Sequence, residues 1–73
     1  MIGNKIKELR IKYKMSQSVL AKKLYVTPQA ISRWENNLVE PSLSTVVELA
    51  KIFNVQTDYL LEMDIIRKET NKL

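Results

Sequence analysis

The sequence predicts an all-α domain, a compact bundle of five helices. Apolar residues recur three and four positions apart along most of the 73-residue chain, which is the spacing of one buried helix face. Ser or Thr stands at the start of each predicted helix except the first, where N-caps belong. One Gly and two Pro leave little material for the many tight turns of an all-β fold.

The first two helices follow from their apolar spacing and from one cap. The first runs over about 3–13, and its inward face comprises Ile2, Ile6, Leu9 and Tyr13. Ser16 is the N-cap candidate of the second helix, because its hydroxyl can accept from a free amide of the first turn. The inward face of the second helix comprises Leu20, Ala21 and Leu24.

The third helix has the strongest start signal. Thr27 can cap it, and Pro28 suits the first helical position, where its missing N–H needs no partner. The helix runs to about Asn36. Its buried stripe comprises Ala30, Ile31 and Trp34.

Helices four and five complete the bundle. Residues 37–41 form a loop, because nothing in them keeps a helical period. Ser42 or Ser44 caps the fourth helix, and Thr57 caps the fifth. The apolar residues of these helices are Leu43, Val46, Val47, Leu49, Ala50 and Phe53 in the fourth and Tyr59, Leu60 and Leu61 in the fifth. The domain is predicted to span 1–63, and residues 64–73 form a tail that extends the fifth helix or serves in dimerisation.

Composition removes several classes of function. Zero Cys excludes disulfides and thiol nucleophiles, and zero His removes the commonest metal ligand and general base. No nucleophile–base pair, glycine-rich loop or metal-ligand set is present, so we expect no enzyme, no cofactor and no small-molecule ligand. No apolar run approaches a membrane span and the first ten residues hold no signal-peptide core, so we expect a cytoplasmic protein without a membrane partner.

Charge is divided unevenly along the chain. Residues 1–34 hold eight cations and one anion, a net charge of +7, whereas residues 35–73 hold four cations and seven anions, a net charge of −3. A basic half suits a polyanionic partner such as DNA or RNA. Surface lysines that only keep the domain soluble would give the same pattern, so charge alone leaves both interpretations open.

Residues 2–61 resemble the phage repressor and Cro family of helix-turn-helix domains, also called the xenobiotic-response-element family. The matching motifs, in order and at the family's spacing, are Ser16-Gln17, Leu20-Ala21-x-x-Leu24, Thr27-x-Gln29-Ala30-Ile31-Ser32-Arg33-Trp34-Glu35-Asn36, Glu40-Pro41-Ser42 and Leu49-Ala50-x-x-Phe53-x-Val55. The resemblance implies a lambda-repressor-like five-helix bundle. Helices two and three then form the helix-turn-helix, with the third helix in the DNA major groove.

The resemblance implies that the third helix reads bases. Gln29 can pair bidentately with adenine and Arg33 with guanine, whereas both would be ordinary solvated residues on an unrelated helix. Ser32 and Pro28 are further candidates, Pro28 through contact with a thymine methyl. Pro28 departs from the family pattern, since many relatives carry a polar reader there, and it can equally serve only the first helical turn.

A second group is expected at the DNA backbone. By resemblance, Gln17 and Asn36 contact phosphate, which the amides and macrodipole at a helix start favour for Gln17. Thr27, Asn37 and Arg10 complete the phosphate candidates. Such contacts set the register on the duplex but read no sequence. Asn37 can instead serve only the turn, because Asn tolerates the left-handed conformation better than most residues.

Two further positions follow from the resemblance. Arg10 and Glu35 are expected to form an ion pair that orients the arginine, the alternative being two unrelated surface charges. Tyr25 stands where the family commonly has a glycine with positive φ, a conformation that costs a non-glycine residue about 1–2 kcal/mol. Either the turn is built differently here or the strain is tolerated.

These features predict a sequence-specific double-stranded DNA-binding transcriptional regulator, most readily a repressor that occupies its site as a homodimer. Candidate apolar interface residues are Leu38, Val39, Leu60, Met63 and Ile66, with core or scattered surface as the alternative. The main rival is an antitoxin-like or other protein-interaction module on the same fold. RNA binding is the weaker rival, because the chain lacks an exposed aromatic platform for single strands.

Overall fold

The computed structural model describes residues 2–61, and they form an all-α bundle. The helices are α1 (Ile2–Lys12), α2 (Gln17–Leu24), α3 (Pro28–Glu35) and α4 (Leu43–Phe53). A fifth helical segment, α5, occupies residues 57–61. No strand occurs in this part of the chain, so the predicted five-helix, all-α architecture is confirmed. The predicted tail 64–73 and Met63 lie outside the described residues.

Three hydroxyl caps start α2, α3 and α4. Ser16 Oγ accepts from the amide of Val19, and Thr27 Oγ1 accepts from that of Ala30. Ser42 Oγ caps α4 in the same way, which decides between the two serines. Each hydroxyl satisfies one amide that has no acceptor inside its own helix. The prediction that Thr57 caps α5 is wrong, because the helical conformation begins at that residue.

The core lies between the helices and contains the predicted aromatic residues. Trp34 is 8% exposed and Phe53 is fully buried. The other fully buried large side chains are Ile6, Leu20, Ile31 and Leu49. Two of the apolar residues of α4 lie outside the core, since Leu43 and Val47 are 72% and 37% exposed. The buried residues of α4 are Val46, Leu49, Ala50 and Phe53.

All four long helices end in the same left-handed turn, and none of these turns uses glycine. The residues with positive φ are Lys14, Tyr25, Asn37 and Asn54. After α2, the amide of Tyr25 donates to the carbonyl of Lys22, and that of Val26 donates to the carbonyl of Ala21. This pair of hydrogen bonds is a Schellman motif, and it satisfies two carbonyls at the helix end. The equivalent bonds close α1, α3 and α4.

The single glycine of the chain lies at a helix contact instead of a turn. Gly3 is buried at the start of α1, where the end of α3 crosses it. A Cβ at this position would overlap the carbonyl oxygen of Trp34 and would lie 2.5 Å from Oδ1 of Asn37. The absence of a side chain therefore sets how closely α1 approaches α3.

Residues 2–61 contain neither a membrane-spanning helix nor a metal-binding cluster. No helix in residues 2–61 is long and apolar enough to cross a membrane. The same residues contain no group of three or more His, Cys, Asp or Glu side chains that could hold a metal ion.

Replacing Gly3 by Ala tests the close approach of α1 to α3. We expect Gly3→Ala to lower the free energy of unfolding by about 1–3 kcal/mol, because backbone atoms of α3 must shift to admit the methyl group. Lys7→Ala is the control, since Lys7 is exposed on the same helix and its loss should change stability by less than about 0.5 kcal/mol. Urea unfolding followed by circular dichroism measures both. Equal stability of the two variants would contradict the close contact.

Candidate nucleic-acid interface

The exposed face of α3 presents two long polar side chains with no partner inside the described chain. Gln29 and Arg33 are four residues apart and exposed, so they lie one above the other on this face. Neither side chain forms a hydrogen bond or ion pair within residues 2–61. Both are therefore free to bond with an external group. The high amphipathicity of α3 follows from the opposite face, where Ile31 and Trp34 are buried.

Pro28 and Ser32 occupy the flank of the same face. Pro28 is exposed at the first position of α3, which satisfies its backbone preference whatever else it contacts. Ser32 is half-buried, and its hydroxyl accepts from the side-chain amide of Asn36 at 3.3 Å. The hydroxyl hydrogen of Ser32 remains available to donate.

A buried carboxylate joins the helix-turn-helix to α1. The Glu35 side chain is only 3% exposed, and it accepts from Arg10 Nε at 2.6 Å and from Nη2 at 3.1 Å. The third guanidinium nitrogen, Nη1, donates to the carbonyl of Met15 at 2.8 Å. The hydrogen bond with Glu35 raises the pKa of Arg10 above its ordinary value. The structure thus brings together the ion pair implied by the resemblance and fixes the arginine with bonds on three nitrogens.

Gln17 is the third member of this network. Its Nε2 donates to Glu35 Oε1 at 3.2 Å, so the carboxylate orients the amide at the start of α2. One N–H of that amide group is used internally and the second remains for another acceptor. The backbone amides of Gln17 and Ser18 also lack an acceptor within their helix, because they belong to its first turn. Several donors therefore meet at this helix start.

The phosphate candidates at the end of α3 lie in its closing turn. Asn36 is exposed and follows the last residue of α3, which ends one residue earlier than expected. Asn37 adopts φ 59°, and its side-chain amide donates to Oδ1 of Asn4 at 3.4 Å. The bond to Asn4 places Asn37 next to α1, and both asparagines lie at the end of α3 opposite to Thr27.

The turn of the helix-turn-helix contains a strained tyrosine. Tyr25 adopts φ 58° and ψ 41°, so the family's turn geometry is kept without its usual glycine. The strain of this conformation costs about 1–2 kcal/mol for a residue with a Cβ. The following residue, Val26, packs partly buried against the core and holds the turn closed.

Several of these features were not predicted from the sequence. The bond between Gln17 and Glu35 was missed, although a glutamine at the start of α2 and a buried glutamate at the end of α3 could suggest it once the two helices were docked. The contact at Gly3 was also missed, because an isolated glycine inside a helical pattern has several interpretations. The left-handed Lys14 gave no compositional signal.

Comparison with known protein families identifies the family that has this arrangement of helices. The profile of the HTH_3 helix-turn-helix family matches residues 6–60, which include α2, the strained turn and α3. The chain therefore belongs to this helix-turn-helix family.

Curated relatives include bacterial and phage regulators. The HTH-type transcriptional regulator ImmR of Bacillus subtilis is 34% identical over 68 residues, which cover 93% of this chain and 54% of the relative. Repressor protein C2 of Salmonella phage P22 is 35% identical over 65 residues, which cover 89% of this chain and 30% of the relative. The chain thus spans between about a third and a half of the length of these relatives.

Solved structures agree on the fold. The P22 c2 repressor in complex with a synthetic operator superposes with a TM-score of 0.77 at 35% identity, covering 82% of this chain and 91% of that chain. SinR, a regulator of biofilm formation, in complex with DNA superposes with a TM-score of 0.76 at 34% identity, covering 84% of this chain and 98% of that chain. The predicted repressor-like fold is thereby confirmed.

Removing the arginine of the buried network should be strongly destabilising. We expect Arg10→Ala to cost about 3–5 kcal/mol of unfolding free energy, because it leaves the Glu35 carboxylate buried without its counter-charge. Lys51→Ala is the matched control, since it breaks a pair with Glu48 whose side chains are 70% and 58% exposed. That pair should contribute less than about 1 kcal/mol. Thermal unfolding of both variants measures the difference, and losses of similar size would contradict a special role for the buried pair.

Proposed function

We propose that the chain is a sequence-specific double-stranded DNA-binding module of a transcriptional regulator, most readily a repressor. The observation that carries this proposal is the exposed face of α3, on which Gln29 and Arg33 are free of partners in residues 2–61. Its similarity to a phage repressor and to two proteins solved in complex with DNA supports the assignment. The activity is binding at a cytoplasmic chromosome or phage genome, with no catalytic step.

Base reading takes place on α3. With the start of this helix in the major groove, Gln29 donates to and accepts from adenine, while Arg33 donates two bonds to guanine. Ser32 and Pro28 lie on the flank, where the hydroxyl reaches a base or a phosphate and the ring touches a thymine methyl. Each good bidentate pair discriminates against a wrong base by about 1–3 kcal/mol.

Phosphate contacts set the position of α3 in the groove. Gln17 donates its remaining side-chain N–H from the start of α2. Thr27 lies at the start of α3, and Asn36 and Asn37 lie at its end. Arg10 acts by positioning in this proposal, since its three nitrogens are occupied by Glu35 and Met15. Glu35 then aligns Gln17, a phosphate-contacting residue, with α3. The fold and the register on DNA therefore both depend on this carboxylate.

A homodimer is the proposed binding form, because one α3 contacts only a few base pairs. Leu38 and Val39, which are 73% and 51% exposed, follow the closing turn of α3 and suit contact with a second copy. The exposed Leu43 lines a cavity of about 210 Å³, whose other lining residues are Ile2, Glu40, Pro41, Val46 and Leu61. The prediction that Leu60 contributes to the interface is wrong, because it is 2% exposed in the core. Ile66 lies outside the described residues.

Selection of bound duplexes from a random pool at physiological salt tests the function. We expect one enriched sequence with twofold symmetry, and half-sites about one helical turn apart. Arg33→Ala should bind the enriched duplex more weakly and lose its preference at one or two base positions, because the guanine contact is gone. An equal loss on every duplex would identify Arg33 as a phosphate contact. Absence of any enriched sequence would favour the protein-interaction module.

Gln17→Ala tests the division between residues that contact phosphate and residues that contact bases. We expect this variant to bind all duplexes more weakly by a similar factor, because phosphate contacts position the protein without reading sequence. Ser18→Ala is a control next to it on the exposed side of α2 and should retain affinity. Fluorescence anisotropy with the enriched duplex and single-base variants measures both. A changed base preference in Gln17→Ala, with affinity otherwise intact, would contradict the division.

Leu38→Ser tests the dimer surface. Because Leu38 is 73% exposed, we expect unchanged stability and unchanged binding to an isolated half-site, but weaker binding to the complete operator. Ile11→Ser is the matched control, as it removes an apolar side chain that is 56% exposed on α1. Gel mobility on one and two half-sites measures the effect. Equal behaviour of the two variants would place the dimer contact elsewhere.

A further inference from the structure

Tyr25 combines a strained backbone with an almost fully exposed aromatic ring. Its φ is 58° and its residue surface is 96% exposed. Within residues 2–61 its side chain forms no hydrogen bond and no ring contact. The ring therefore contributes nothing to the packing of the described fold, and the conformation opposes it.

The other helix ends show what this position requires of the fold. The corresponding left-handed residues are Lys14, Asn37 and Asn54, all of them polar. Asn or Gly would close the turn after α2 with less strain than a tyrosine. The backbone hydrogen bonds of the turn are made by main-chain atoms, so they place no demand on the side chain. An aromatic side chain at this site needs a partner outside the fold to be useful.

The position of Tyr25 identifies the chemistry of that partner. It lies two residues before Thr27, the cap of α3. It is therefore close to the start of α3, which is the end proposed to enter the groove. The exposed Lys22 and Lys23 precede it in the last turn of α2. A phenol that can donate a hydrogen bond, two and three residues after two exposed lysines, suits a phosphate oxygen. Its ring can pack on the adjoining deoxyribose.

We propose that Tyr25 contacts the sugar–phosphate backbone at the edge of the groove entered by α3, with its hydroxyl donating to a phosphate. This inference rests on the proposed function and adds a contact at the turn of the helix-turn-helix. Tyr25 then binds without reading bases, and this contact gives a role to an aromatic side chain at a strained position. The contact extends the surface that touches DNA at the start of α3, the end opposite to Asn36 and Asn37.

Three variants of the whole chain test this contact. Tyr25→Gly removes the side chain and relieves the strain, so its thermal midpoint should rise by roughly 4–8 °C while its affinity for the selected duplex falls roughly tenfold. Tyr25→Phe keeps the ring and should lose roughly threefold. Asn54→Gly changes the equivalent turn after α4 and should bind like the wild type. The affinity losses at Tyr25 should be the same factor on duplexes of different sequence.

The outcomes separate this contact from the function itself. A Tyr25→Gly variant that binds the selected duplex as tightly as the wild type overturns the contact and leaves the DNA-binding function standing. A loss confined to particular base pairs also overturns it, because the tyrosine would then read sequence. If the wild type selects no duplex from the random pool, the proposed function and this contact fail together.

Discussion

The structure depends most on the buried carboxylate of Glu35. It accepts from Arg10 and from Gln17, so one side chain ties the end of α3 to α1 and to the start of α2. Removing two charges from water is costly, and this cost is offset only when the pair is well bonded. The bidentate geometry with Arg10 meets that condition. The relative position of the helices in the helix-turn-helix is therefore set by an electrostatic bond as well as by apolar packing.

Close packing at Gly3 favours this ion pair, whereas two strained turns nearby cost conformational energy. Gly3 lets α1 approach the end of α3 without a side chain between them, which brings Arg10 within reach of its partner. The left-handed turns at Lys14 and Tyr25 cost conformational energy, and apolar neighbours such as Val26 hold them closed. The domain thus tolerates local strain where it must change chain direction within a few residues.

Local features were the most predictable from the sequence. The caps at Ser16 and Thr27 involve hydroxyls and amides three residues apart, so sequence alone contains both partners. The exposure of Leu43 and the contact at Gly3 depend on how helices cross, which periodicity does not specify. The site divides in the same way: the exposed face of α3 follows from its period, whereas the orientation of Gln17 required the docked helices.

The exposure of Leu38 affects the local stability of the connection between α3 and α4 and its tolerance of insertions. It is the apolar residue after the left-handed turn of α3, and its counterparts Met15, Val26 and Val55 all pack against the core. Leu38 instead is 73% exposed, and the two residues that follow are exposed too. This connection is thus the least anchored of the four. Its amides should exchange with solvent early, and insertions there should be accommodated with the least change to the remaining helices.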